Sequence, residues 1–170
     1  MKMPPAWLPP LLLFADFSAD WFAFNDAAYD IFIRDVKDRE LLYEGRKIIW
    51  DARLSKGKDE GFWHITTVID AANNERIPDI RRTEKIAWLR PVIENATNPL
   101  ISIWKQVHPK GKSNEIRVYI WLESLEYLVV LAERKDHYFL VTAFATDGER
   151  TKKKLRKERE EHIRNSGGSP

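Results

Sequence analysis

Apolar and polar positions alternate most regularly in the last third of the chain. Ile116–Leu122, Tyr127–Glu133 and Tyr138–Thr146 read as period-two runs joined by short polar connectors. The connectors are too short for a crossover, so the pattern predicts an antiparallel meander. In the first run Ile116, Val118, Ile120 and Leu122 form one face, and Arg117, Tyr119 and Trp121 the other. In the third, Thr142 alternates with Tyr138, Leu140 and Phe144 and so shares their face. A strand over Leu100–His108 and a turn over Pro109–Asn114 precede the meander.

Upstream the pattern changes. Prolines make Met1–Pro10 extended, and Leu11–Phe17 reads as a short strand or buried arm, followed by a turn at Ser18–Asp20. Asn25 can cap a helix reaching about Val36, with Tyr29, Phe32, Ile33 and Val36 at helical spacing over a core filled by Trp21, Phe22 and Phe24. Glu40–Trp50 reads as strand, turn and strand about Gly45, and Leu54–Gly61 as a charged loop. Phe62–Ile69 reads as a central strand with Phe62, His64, Thr66 and Val68 on one face, ahead of a polar turn over Ala71–Arg76. Asp79 caps the next helix, which Pro91 stops or kinks. On that helix Arg82, Ile86, Leu89 and Ile93 share one face, and Arg81, Lys85 and Trp88 another.

The expected fold is therefore α+β: an antiparallel sheet ending in a C-terminal meander, helices mainly N-terminal to it, and a basic C-terminal helix. Residues 1–148 form a single domain, 149–164 the charged helix, and 165–170 a disordered tail.

Composition narrows the picture. The 170 residues, 44% of them hydrophobic, can build one ordinary core. Lys and Arg total 28 against 26 Asp and Glu, so any cationic surface must come from clustering. There is no cysteine, which excludes disulfides, thiolate metal sites and a cysteine nucleophile. The N-terminal apolar run is short, interrupted by prolines and followed by Asp16, so it reads as an arm packed on the domain and not as a signal peptide. No stretch approaches the ~20 apolar residues of a membrane span. A protein of the cytoplasm, with no membrane partner, is expected.

His64, beside Phe62 and Trp63, has the near-neutral pKa that acid–base work requires, although a core histidine with a satisfied hydrogen bond reads the same way. Arg81 and Arg82 offer forked donors for phosphate, or ion pairs with Asp79 and Glu84. No phosphate-binding glycine loop, dinucleotide fingerprint, nucleophile elbow or metal-ligand spacing is present, so neither a cofactor nor a metal is expected. The basic run from Lys152 to Arg159 could meet an RNA backbone, or be a solvated, frayed helix.

Phe62-Trp63-His64 ahead of Arg76–Arg82, then Glu84, Trp88, Pro91–Ile93, Trp121–Glu123, Tyr127–Leu131 and Leu140–Phe144, resembles uncharacterised bacterial proteins linked to phages and plasmids. The order of histidine segment, arginine-headed helix and closing hairpin is similar to phage-associated members of the Barnase–EndoU–colicin–RelE ribonuclease fold. The resemblance covers roughly Trp21–Thr146. It implies metal-independent RNA cleavage through attack of the ribose 2′-OH, as in a toxin or mobile-element effector, with RNA and an immunity or antitoxin protein as partners. His64 would match the family's histidine, Arg82 or Arg81 its phosphate-binding arginine, and Thr142 its strand hydroxyl. Glu84 or Tyr138 would be the second titrating group. Lys85, Trp88, Arg117, Tyr119 and Tyr138 would contact RNA. The rival expectation is a non-catalytic RNA- or protein-binding domain, with Arg117, Tyr119 and Trp121 as a stacking and cationic surface. A structural protein of a mobile element is a third.

Overall fold

The computed structural model describes residues 3–166. Its first residues pack onto the domain. Leu8 is buried, and the Leu12 N–H donates to the Glu84 carbonyl at 2.9 Å. Phe14–Phe17 is a 3-10 turn without a buried residue, where the sequence suggests a strand or buried arm. Helix α1 (Trp21–Phe32) starts earlier than expected. Asp20 caps it, its carboxylate accepting from the Ala23 N–H at 3.1 Å. Asn25 lies inside the helix and is buried. The helix runs on into a π-helical turn, Ile33–Lys37.

Strands β1 (Leu42–Tyr43) and β2 (Arg46–Ile49) form the expected hairpin about Gly45. Glu44 and Gly45 both have positive φ, 48° and 77°, the two-residue turn whose twist matches antiparallel strands. The segment read as a charged loop contains a second hairpin, β3 (Leu54–Ser55) and β4 (Lys58–Asp59).

The largest departure follows. Glu60–Thr66, read as strand from Phe62, is helix α2. Short aromatic and β-branched runs do not separate helix from buried strand by pattern alone. Tertiary contacts decide here: Phe62, Ile65 and Thr66 are buried at i, i+3 and i+4. Gly61 sits so close to Trp50 that an added Cβ would meet the Trp50 side chain at 3.1 Å. The hydroxyls of Thr66 and Thr67 donate back to the Phe62 and Trp63 carbonyls at 2.9 and 2.5 Å, closing the last turn.

Only β5 (Thr67–Asp70) is extended, and it pairs with β6 (Glu75–Pro78) in a separate two-stranded ribbon, not in the centre of the main sheet. Asp79 caps α3 (Ile80–Glu84), accepting from the Arg82 N–H at 3.1 Å. A 3-10 turn, Ile86–Trp88, then leads into α4 (Leu89–Glu94). Pro91 stands in the first turn of α4, where its missing N–H needs no partner, so it neither stops nor kinks the helix.

The main sheet is built from β7 (Ser102–Lys110), β8 (Ser113–Leu122), β9 (Tyr127–Glu133) and β10 (Tyr138–Ala145), in the order β1-β2-β10-β9-β8-β7. The three runs of the meander are adjacent and antiparallel. The β7–β8 turn is tighter than expected, with Lys110 opposite Ser113. One pairing breaks the pattern: β2 lies parallel to β10, through Ile48–Tyr138 and Ile49–Phe139 only.

One sheet face carries Val118, Ile120, Leu122, Val129, Leu131 and Tyr138 into the core beneath the N-terminal helices. The other carries Trp104, Tyr119, Trp121, Leu128 and Val130 under helix α5 (Glu149–Ser166), whose Leu155 is buried among them. Arg156 and Arg159 of α5 pair with Glu123 at 2.6 and 2.9 Å, so this helix is docked on the sheet and not frayed. It extends through Ser166; the rest of the expected tail, residues 167–170, lies outside the described residues. The fold is α+β, and no helix among the described residues is long and apolar enough to cross a membrane.

Candidate functional site

A β-bulge shapes the candidate site. On β10, Leu140 faces Leu131 and Thr142 faces Val130, leaving Val141 as an extra residue. A bulge resets the alternation of side chains. Tyr138 and Leu140 enter the core under the helices, whereas Val141 and Thr142 both open onto a cleft on the other side. The unbroken alternation read from the sequence places Thr142 with Tyr138; the bulge separates them.

This cleft, about 540 Å³, is lined by His64, Thr67, Arg76, Arg82 and Thr142, with apolar flanks from Val68, Ile69 and Val141. His64 arrives on the last turn of α2, Arg82 on α3, Thr142 on β10 and Arg76 on β6. The His64 backbone is held from two sides. Thr142 Oγ1 donates to its carbonyl at 3.1 Å, and Arg82 Nη1 reaches the same carbonyl at 3.5 Å and that of Thr67 at 3.3 Å. Both contacts use the main chain, which leaves the imidazole nitrogens uncommitted among the described residues. Burial first, then the nearby Arg76 charge, lowers the His64 pKa below the usual histidine value. The ring is therefore neutral at physiological pH and can accept a proton.

Arg82 is half-buried. Its Nε lies 3.3 Å from Asp79 Oδ2, and its guanidinium is 5.1 Å from the centre of the Phe144 ring. Burial lowers its pKa. With its donors shared among two carbonyls and a carboxylate, Arg82 braces the cleft. Arg76 is exposed, donates to Thr67 Oγ1 at 3.3 Å and has no carboxylate partner among the described residues. The sequence reading does not single out Arg76 or Thr67. Ile69 pairs with Arg76 and Thr67 with Pro78, so all four share one face of the ribbon, a register that only the structure supplies.

The other candidates lie elsewhere. Arg81 is exposed and paired with Asp147. Glu84 faces the N-terminal arm, its Oε1 accepting from the Phe14 N–H at 3.1 Å. Lys85 donates to the carbonyls of Leu125 and Glu126, and lies over Trp88. Trp88 is only 6% exposed, donates to the Pro9 carbonyl and packs edge-on against Tyr127. Tyr138 is fully buried, with Arg46 over its ring and Arg46 Nη2 2.5 Å from its hydroxyl.

Arg117 and Tyr119 border a groove of about 350 Å³ between the sheet and α5. Arg117 is bound to Glu115 at 2.7 Å, and Tyr119 stacks on Trp104 while its hydroxyl meets His108 Nε2 at 2.8 Å. Burial works to raise the Glu115 pKa, but bonds from Arg117, Arg134 and Lys110 outweigh it and bring the carboxyl to about 2. Trp121 is fully buried beside them, so Arg117, Tyr119 and Trp121 do not form an open stacking surface.

Among the described residues, no group of three or more His, Asp or Glu side chains is arranged to hold a metal ion. Comparisons with family models, with curated proteins and with solved structures return no match to this chain.

Proposed function

We propose that this protein is a ribonuclease that cleaves RNA by internal attack of a ribose 2′-OH, with His64 as general base. The observation that carries the reading is the meeting of His64, Arg76, Arg82 and Thr142, from four separate elements, on one open cleft. A neutral imidazole and a guanidinium with no carboxylate partner among the described residues, lining one cleft, are what the reaction requires. His64 takes the 2′-OH proton as the 2′-oxygen bonds to phosphorus. The bond from phosphorus to the 5′-oxygen breaks, and that oxygen takes a proton from solvent. The products are a 2′,3′-cyclic phosphate and a free 5′-hydroxyl. Arg76 supports the charge growing on the nonbridging oxygens, while Arg82 and Thr142 position the His64 backbone. A toxin or mobile-element effector acting in the cytoplasm, restrained by an immunity protein, fits such an activity.

The test is cleavage of mixed cellular RNA by purified protein in excess EDTA. His64→Ala is expected to lower the rate by about 100-fold or more, the usual share of a general base. RNA carrying 2′-O-methyl groups should resist. A folded protein that binds RNA but never cuts it would transfer the reading to a binding domain. Cleavage surviving His64→Ala would remove His64 from the mechanism.

A further inference from the structure

A second cavity, about 330 Å³, lies on the far side of the Thr67–Arg76 contact. Thr67 and Arg76 line both cavities, so the two adjoin at this pair. Trp21, Phe22 and Trp63 supply apolar walls, and Lys56, Lys58 and Arg76 outnumber Glu60 on a charged rim. Phe22 is 79% exposed and presents its ring at the cavity. Asn25, which also lines the cavity, is only 3% exposed, yet its amide nitrogen has no hydrogen-bond partner among the described residues. A buried donor without a partner costs about 1–3 kcal/mol and calls for an explanation.

We infer that this cavity receives an unpaired nucleobase of the RNA whose phosphate lies against Arg76; the inference rests on the ribonuclease reading. A base offers a flat face to the indoles and Phe22, and a carbonyl or ring nitrogen to the Asn25 amide. The backbone of the same strand carries negative charge to Lys56 and Arg76, neither of which has a carboxylate partner among the described residues. The volume falls within the roughly 300–1,000 Å³ of small-ligand sites. A single strand crossing Arg76 thus places a base in this cavity and a neighbouring ribose beside His64.

The probe is a fluorescein-labelled 2′-O-methyl RNA octamer, which cannot be cut, together with the same octamer made abasic; binding is read by anisotropy. Asn25→Leu, Trp21→Ala and Phe22→Ala should each weaken the base-bearing octamer by about tenfold, a change of about 1.4 kcal/mol. They should leave the weaker abasic octamer unaffected. Asn25→Leu should keep its melting temperature, because it removes an unpaired buried group, and Phe22→Ala alters an exposed side chain, so folding does not obscure the result. Equal binding of the two octamers, no binding of either, or equal loss on both would overturn the inference. Cavity-dependent binding without cleavage of unmodified RNA would overturn the ribonuclease reading and leave the base site standing. Cleavage at the wild-type rate by both Asn25→Leu and Trp21→Ala would do the reverse.

Discussion

Asp59 is the residue whose loss should most disturb the approach to the cleft. Its carboxylate is 1% exposed and accepts from Tyr29 Oη at 2.5 Å, Lys37 Nζ at 2.8 Å and Trp50 Nε1 at 2.9 Å. It thereby ties α1, the π-helical turn and the end of β2 to the residue immediately before α2. Asp59→Asn keeps the shape but removes the charge and sets an amide against three donors. Breaking a buried ion pair costs about 3–5 kcal/mol. Lys37 is about one third exposed and can turn to water, so a loss of about 2–4 kcal/mol is expected. For a chain of this length that lowers the melting temperature by about 4–16 °C. Burial works to raise the Asp59 pKa, but the bonds from Lys37, Tyr29 and Trp50 outweigh it and hold the carboxyl below the usual aspartate value. The sign follows: the stabilisation is present above the unfolded-state pKa and lost as pH falls through the depressed folded one. Urea denaturation of both proteins across a pH series checks this. The stability gap should be full near neutrality and close in acid. A gap below about 0.5 kcal/mol at pH 7, within the range of an ordinary surface substitution, would refute the reasoning.

Arg76→Gln should slow cleavage and move the acidic limb of its pH–rate profile upward, since Arg76 contributes, after burial, to the lowered His64 pKa; an unmoved limb would separate the two residues. Trp88→Ala should cost about 3–5 kcal/mol in denaturant titrations, as for other buried aromatics, whereas an RNA-stacking Trp88 would lose binding at unchanged stability. Tyr138→Phe should leave the cleavage rate within about twofold, because the bulge turns Tyr138 away from the cleft; a fall of ten-fold or more in single-turnover assays would return its hydroxyl to the chemistry.

The meander was legible because period-two alternation and short connectors together admit one arrangement. Other parts were legible from local chemistry, such as the Asp79 cap and the turn at Gly45. The surroundings of His64 were not. Glu60–Thr66 carries aromatic and β-branched residues that suit a strand, and its helical form goes with contacts from outside the segment that bury Phe62, Ile65 and Thr66 and seat Gly61 against Trp50. That Thr142 lies beside His64 depends on one extra residue in β10, which leaves no mark in the hydrophobic pattern. Arg76 was hidden because it closes the stretch Ala71–Arg76 that reads as a polar turn, and β6 is exposed throughout. The pairing of β2 with β10 joins segments that share no local signal at all.

The parallel pairing of β2 with β10 bears on the order of events during synthesis. Ile48 meets Tyr138 only after the whole intervening chain has been made, and closing so long a loop is slow compared with forming the β8–β9–β10 hairpins. Thr142 comes three residues after Phe139, on the last strand among the described residues. A nascent or truncated chain ending before β10 therefore carries His64, Arg76 and Arg82 without the strand that completes their cleft. The cleft is assembled only once β10 has emerged and packed beside α2 and α3.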